Sequence, residues 1–202
     1  MTTPTLWQRL RHHPFYPAAL LATVAGLCAA SLGGMAMLTG PAIAMAERAD
    51  SLVAIAEVMS SDLFDGDPLA HCQPWSSQPT MTVCTLTKAG VASGALVTTS
   101  AKGYGGPIRL LIGIDASGII TGVRVTGHSE TPGLGDLIDR RKGPWIDSFA
   151  GRSLANTSAD GWRVRKDGGD FDQFTGATIT PRAVVTEIHA SLERLAQQET
   201  RP

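Results

Sequence analysis

The sequence predicts an α+β fold: one N-terminal transmembrane helix followed by an exported domain with an antiparallel sheet and flanking helices. Three observations predict it. Residues 14–46 form an apolar run without a charged side chain. Two β-rich runs, 107–115 and 118–128, follow in mid-chain with a short polar link between them. From Thr180 onward the pattern becomes an amphipathic helix. The 202 residues suffice for one ordinary domain, or a smaller domain plus an anchor. A net charge of −1 gives no electrostatic pull toward nucleic acid, and no internal period indicates a solenoid.

The spanning segment is read as residues 15–38, "FYPAALLATVAGLCAASLGGMAML". As a helix it rises about 36 Å at about 1.5 Å per residue. That crosses a hydrocarbon core of about 30 Å with some tilt. A helix satisfies its own backbone in lipid, and Gly26, Gly33 and Gly34 suit close packing on a neighbouring helix. Arg9 and Arg11 precede the segment, while Glu47, Arg48 and Asp50 follow it. The positive-inside bias therefore puts residues 1–14 in the cytoplasm and the rest outside. The rival is a signal peptide cleaved within "AIAMA" (42–46), which has A-x-A spacing. The apolar run exceeds the usual signal core of about 7–15 residues, which favours a retained anchor.

Residues 39–80 read as a helical linker and loop, and 81–202 as the domain proper. Leu52, Ile55, Ala56 and Met59 lie at helical spacing within 46–64, whereas 65–79 is turn-rich and reads as a loop. Strands are expected at 82–86 and 95–99, then a hairpin turning at Ala116-Ser117. In its second strand Ile119, Val123 and Val125 alternate onto one face, with Arg124 on the other. The glycine-rich loop "SETPGLGD" (129–136) comes next, then broken helix and turn over 137–151. "WRVRK" (162–166) alternates like a strand. Thr180 as N-cap and Pro181 as first helical residue open the final helix. Its buried stripe is Val184, Ile188, Leu192 and Leu195.

Cys28 lies in the apolar run. Cys72 and Cys84 could close a short loop in an oxidising compartment, or stay as two unpaired buried thiols; sequence leaves both open. The scattered histidines and the lack of C-x-x-C argue against a structural zinc site.

Two stretches could carry chemistry. "ETPGLGD" lacks the Lys and Ser/Thr pair of a phosphate loop. It reads as a tight turn, or as a loop whose backbone approaches a flat ligand. His128, Ser129 and Glu130 are adjacent and do not converge on one atom as a hydrolytic trio would. "DQFTGATITP" supplies more hydroxyls than capping requires. Backbone N–H groups at a helix start, with the positive end of the dipole, also attract an anion. A phosphate near Thr178 would meet donors from the Gly176–Ala177 turn and the helix start, so phosphate binding and plain capping both fit.

"DQFTGAT" matches the Asp-x-x-(Ser/Thr)-Gly-Ala-Thr flavinylation motif, and "DGGDFDQFTGATITPRAVV" as a whole resembles the G component of the Rnf (Rsx) ion-translocating electron-transport complex. The C component of the sodium-pumping NADH:quinone reductase is a related case. "GYGGPIRLLIGID", "GHSETPGLGD" and the single N-terminal anchor resemble the same family. The resemblance implies an FMN-binding domain with FMN joined through its phosphate to Thr178. Asp172, Thr175, Gly176 and Ala177 would complete the motif read by a flavin transferase. Glu130, Thr131, Gly133, Leu134 and Gly135 would wall the flavin ring. It further implies an electron-relay component of a ferredoxin:NAD oxidoreductase coupled to sodium or proton movement. Its partners would be the other subunits of the Rnf complex and membrane lipid, and it would perform no substrate chemistry of its own. The implied location is the bacterial inner membrane, single-pass, with a periplasmic domain. Two other functions are an anchored module for a non-covalent phosphate ligand and a secreted flavoprotein reductase cut at 42–46.

Overall fold

The computed structural model describes residues 15–76 and 78–199. Arg9 and Arg11, on which the orientation reading rests, lie outside the described residues, as does segment 1–14. The chain divides into two units, one ending at Asp50 and one beginning at Ser51.

The first helix, α1 (Tyr16–Val58), is 43 residues long with a mean hydropathy of 1.8 over its most apolar window. It is long and apolar enough to cross a membrane. In the first unit Leu21, Leu27, Leu32, Met37 and Leu38 are each more than 65% exposed, so the protein itself does not cover them. That exposure fits a membrane anchor.

The second unit is built on a five-stranded antiparallel meander in the order β1 (Cys72–Trp75), β2 (Gln78–Lys88), β3 (Val91–Lys102), β4 (Pro107–Asp115) and β5 (Ile120–Gly127). The α+β expectation therefore holds. Ala89-Gly90, with φ of 52° and 79°, close β2 onto β3 as a two-residue hairpin, where both positions need positive φ. In the β4–β5 link Asp115 Oδ1 accepts from the backbone N–H of Ser117 (2.8 Å) and Ile119 (3.0 Å), and Gly118 takes φ 75°.

Several sequence readings need correction. Segment 65–79 is not all loop, because β1 and the start of β2 lie within it. β1 pairs Cys72 opposite Cys84, and those two form a disulfide with Cα atoms 3.9 Å apart. Ile120 rather than Ile119 faces the core with Val123, because the register shifts between Gly113 and Ile114 and leaves Thr121 as an extra residue. "WRVRK" makes only one bridge, Val164 to Phe171, before a 3₁₀ turn at Arg165–Asp167. The buried face near the end of α1 is Ile55, Val58 and Met59, while Leu52 and Ala56 are exposed.

The last helix, α2 (Ile179–Glu199), lies against β3 and buries Val184, Val185, Ile188 and Leu192, with Leu195 partly covered. Ile108, Leu110, Ile112 and Ile114 of β4 meet that core; Leu111, pointing the opposite way, joins Ile55, Val58 and Met59. Phe149, Phe171 and Trp162 extend the α2 side of the core, with Phe149 stacked on Phe171 at 4.5 Å and Trp162 on Phe171 at 5.6 Å.

Candidate functional site

Segment 171–178 is held by its two phenylalanines. Phe171 and Phe174 are buried, and Phe174 meets Trp145 edge-on at 5.2 Å. Trp145 Nε1 donates to the Asp172 carbonyl at 2.8 Å. The chain then turns sharply: the Ala177 N–H donates to the Phe174 carbonyl (3.1 Å), with Gly176 at the third position and φ 81°. A turn with positive φ there takes glycine most readily, which explains the Thr-Gly pair locally.

The turn delivers the chain into α2, but not as the cap pattern predicts. The Thr178 carbonyl accepts the first helical bond, from the Arg182 N–H at 3.3 Å, so Thr178 occupies the N-cap position. Thr180 lies inside the helix, 1% exposed, and its hydroxyl donates to Glu130 Oε2 at 2.5 Å. Hence Thr180 is not the cap. Pro181, without an N–H, costs the first turn no hydrogen bond. Arg182 forks onto Asp167 at 2.6 and 3.0 Å. The hydrogen-bonded guanidinium holds that carboxyl below its usual range and is itself raised.

Facing the helix start is loop 129–136. Its fold comes from local hydrogen bonds: the Leu134 and Gly135 N–H groups donate to the Thr131 carbonyl, and the Gly133 N–H donates to Asp136 Oδ1 at 2.8 Å. Gly133 takes φ 76°. His128 Nδ1 accepts from the Glu130 backbone at 3.2 Å while the Glu130 carboxylate points to Thr180 and Gly105, so these side chains form no hydrolytic set.

Between loop and helix lies a cleft of about 290 Å³ lined by Glu130, Thr131, Leu134, Gly135, Gly176, Ala177, Thr178, Ile179, Thr180 and Tyr104. Ligand pockets start at about 300 Å³, so it is of the right order for part of a cofactor. Two stretches far apart in sequence thus converge. Of the ten site residues read from sequence, seven line the cleft: Glu130, Thr131, Leu134, Gly135, Gly176, Ala177 and Thr178. Gly133, Asp172 and Thr175 do not. Asp172 instead pairs with Arg165 at 3.1 Å on an open surface, and Thr175 is exposed. Sequence reading missed Tyr104, which is 74% exposed at the cleft. A large aromatic ring flanked by glycines in a turn was the available signal.

The donor set suits a phosphate with a flat apolar group attached. The turn and helix start offer backbone N–H groups, Thr178 offers a half-buried hydroxyl, and Tyr104, Leu134 and Ile179 offer exposed apolar surface. Gly135 lets the loop pack closely on the helix start, since a Cβ there would lie 2.8 Å from Glu130 Oε2 and 2.9 Å from Thr180 Oγ1.

Residues 103–193 match the family model described as an FMN-binding domain. That interval contains both walls of the cleft. The chain is 42% identical over 201 residues to the G component of the ion-translocating oxidoreductase complex of Stutzerimonas stutzeri, covering 98% of this chain and 88% of that one. It is 46% identical over 155 residues to the G component from Cereibacter sphaeroides, covering 76% and 70% respectively. With that of Pasteurella multocida the identity is 41% over 182 residues, covering 87% and 90%. Likeness of this extent runs through anchor, sheet and cleft alike, and the chain belongs to the family of G components of ion-translocating oxidoreductase complexes.

Proposed function

We propose that this protein is a membrane-anchored flavoprotein that relays electrons within an ion-translocating oxidoreductase complex, with FMN bound through a phosphoester to Thr178. The cleft carries the reading: it joins Thr178, at the N-cap of α2, to the loop 129–136 in one cavity. When bound, FMN supplies the one- and two-electron chemistry. The protein's own part is to hold and orient. First-turn N–H groups and the helix dipole suit the phosphate, and Leu134, Ile179 and Tyr104 suit the ring.

No general base near Thr178 is among its cleft neighbours except the Glu130 carboxylate, which is committed to Thr180 and Gly105. A threonine hydroxyl needs activation, so attachment falls to a separate flavin transferase using FAD. There the Thr178 oxygen–phosphorus bond forms, the pyrophosphate bond of FAD breaks, AMP leaves and the hydroxyl proton is released. Asp172 and Thr175, exposed beside the cleft, are open to that enzyme.

In this reading residues 15–38 span a bacterial inner membrane, segment 1–14 faces the cytoplasm and the FMN domain is periplasmic. The Cys72–Cys84 disulfide favours an oxidising compartment. The other subunits of the complex and membrane lipid are the partners. Co-expression with a flavin transferase tests it: wild type gives a band fluorescent under denaturing electrophoresis, and Thr178→Val gives none. A dark wild-type band beside a fluorescent control substrate sinks the covalent reading in favour of a non-covalent phosphate ligand. Recovery of the chain outside the membrane would favour a secreted reductase.

A further inference from the structure

We infer that Glu130 is a positioning residue of the flavin site, tying the start of α2 to the 103–106 turn, and that its negative charge lowers the tendency of the bound flavin to accept electrons. The inference rests on the Thr178 reading above.

Glu130 is 5% exposed and uses both oxygens: Oε2 accepts from Thr180 Oγ1, and Oε1 accepts from the Gly105 N–H at 2.9 Å. An ionised carboxylate can accept at both oxygens in this way. The chain is folded tightly around it. A Cβ on Gly103 would collide with Oε1, and one on Gly135 would lie 2.8 Å from Oε2 and 2.9 Å from Thr180 Oγ1. A Cβ on Gly105 would strike the Ser129 carbonyl. The glycines of "GYGG" and "GLGD" thus make room for one side chain that joins three segments.

That junction has two effects on the cleft. With its hydroxyl turned to Glu130, Thr180 does not cap the helix, and the N–H groups of Ile179 and Thr180 have no acceptor among the described residues. They stay available beside Thr178. The second bond fixes the turn carrying Tyr104, so ring wall and phosphate end keep one spacing.

Geometry alone does not require the charge. Glutamine would make both bonds, its oxygen accepting from Gly105 and its amide donating to Thr180, without burying an anion. A buried carboxylate costs more than a buried amide unless a cation pairs with it, and Glu130 forms no ion pair among the described residues. An unneutralised carboxylate on the cleft wall opposes each negative charge that reduction adds nearby.

The test uses the full chain in detergent, co-expressed with a flavin transferase, as wild type, E130Q and E130A. Spectroelectrochemical titration reads the midpoint potential, and melting of the unflavinylated protein reads the junction. E130Q should melt no earlier than wild type and shift the flavin's redox equilibrium about tenfold toward reduction, ~30 mV for a two-electron couple. E130A should melt earlier and load at least about tenfold less flavin. A wild-type potential in E130Q overturns the electrostatic half, and wild-type melting of E130A overturns the junction. Lack of covalent flavin in wild type defeats the Thr178 reading and the electrostatic half with it, while the melting comparison still decides the junction.

Discussion

The two faces of the sheet are covered by different means. Under α2 the cover is thick: helix, aromatic cluster and inward strand residues form one large core. Opposite, Ile55, Val58 and Met59 pack on Cys84, Leu86, Leu96 and Leu111 in a thinner one. There the backbone itself comes close. Gly113 and Gly122 pair across β4 and β5, and Thr121 Oγ1 donates to the Val58 carbonyl at 2.6 Å. Arg124 secures Glu57 at 2.7 Å from the same side. The thick core supports a surface cleft at its margin, where polar loop ends meet. The thin one depends on close approach and on the disulfide at its edge.

Disrupting the thick side should have the larger effect. Phe149→Ala removes a fully buried ring packed on Phe171 and Trp145, and should cost about 3–5 kcal/mol in urea denaturation of the full chain. Because Phe171 anchors the segment leading to Thr178, flavin loading should fall with it. Loading and stability both near wild type would show that the cleft does not depend on this cluster.

On the thin side, Cys72→Ser with Cys84→Ser should lower stability by about 2–4 kcal/mol, the range for a short disulfide loop. It should leave flavin attachment intact. Coupled loss of fluorescence would contradict the separation between the two faces.

Gly122→Ala is expected to cost about 1–3 kcal/mol, since its Cβ would lie 2.9 Å from Val58 Cα. Gly143→Ala, whose nearest neighbour would be the Leu137 carbonyl at 4.0 Å, should be near neutral by the same measurement. Equal effects would mean that the glycine pair is not a docking seat.

The smallest expected effect is at Asp139, whose carboxyl is held below its usual range chiefly by a fork of hydrogen bonds from Arg141. A depressed folded value means the contribution is fully present above the unfolded value of about 3.9. It is lost as pH falls through the folded value. Asp139→Asn should therefore lower stability slightly at neutral pH and converge with wild type at the acid end, which flattens the acid limb of the stability profile in urea denaturation against pH.

Sequence showed the anchor, the hairpin and the stripe of α2 because each depends on local periodicity or composition. It missed β1 because a four-residue strand containing Pro74 carries no alternation, and its pairing depends on the distant β2. Thr121 hid the true inward residue, since a bulge changes parity without changing composition. In the site, seven of ten residues reached the cleft through motif resemblance. Thr180 was misread as a cap because its partner, Glu130, lies fifty residues away. Tyr104 was missed because its exposed ring looks like any surface aromatic until the loops converge.

The most direct test is a tandem mass spectrum of tryptic peptide 167–182 from the protein matured with its flavin transferase. This peptide contains Thr175, Thr178 and Thr180 together. The account predicts one added FMN, less one water, with fragments that place it on Thr178. An unmodified peptide, or an adduct on Thr175 or Thr180, would contradict it.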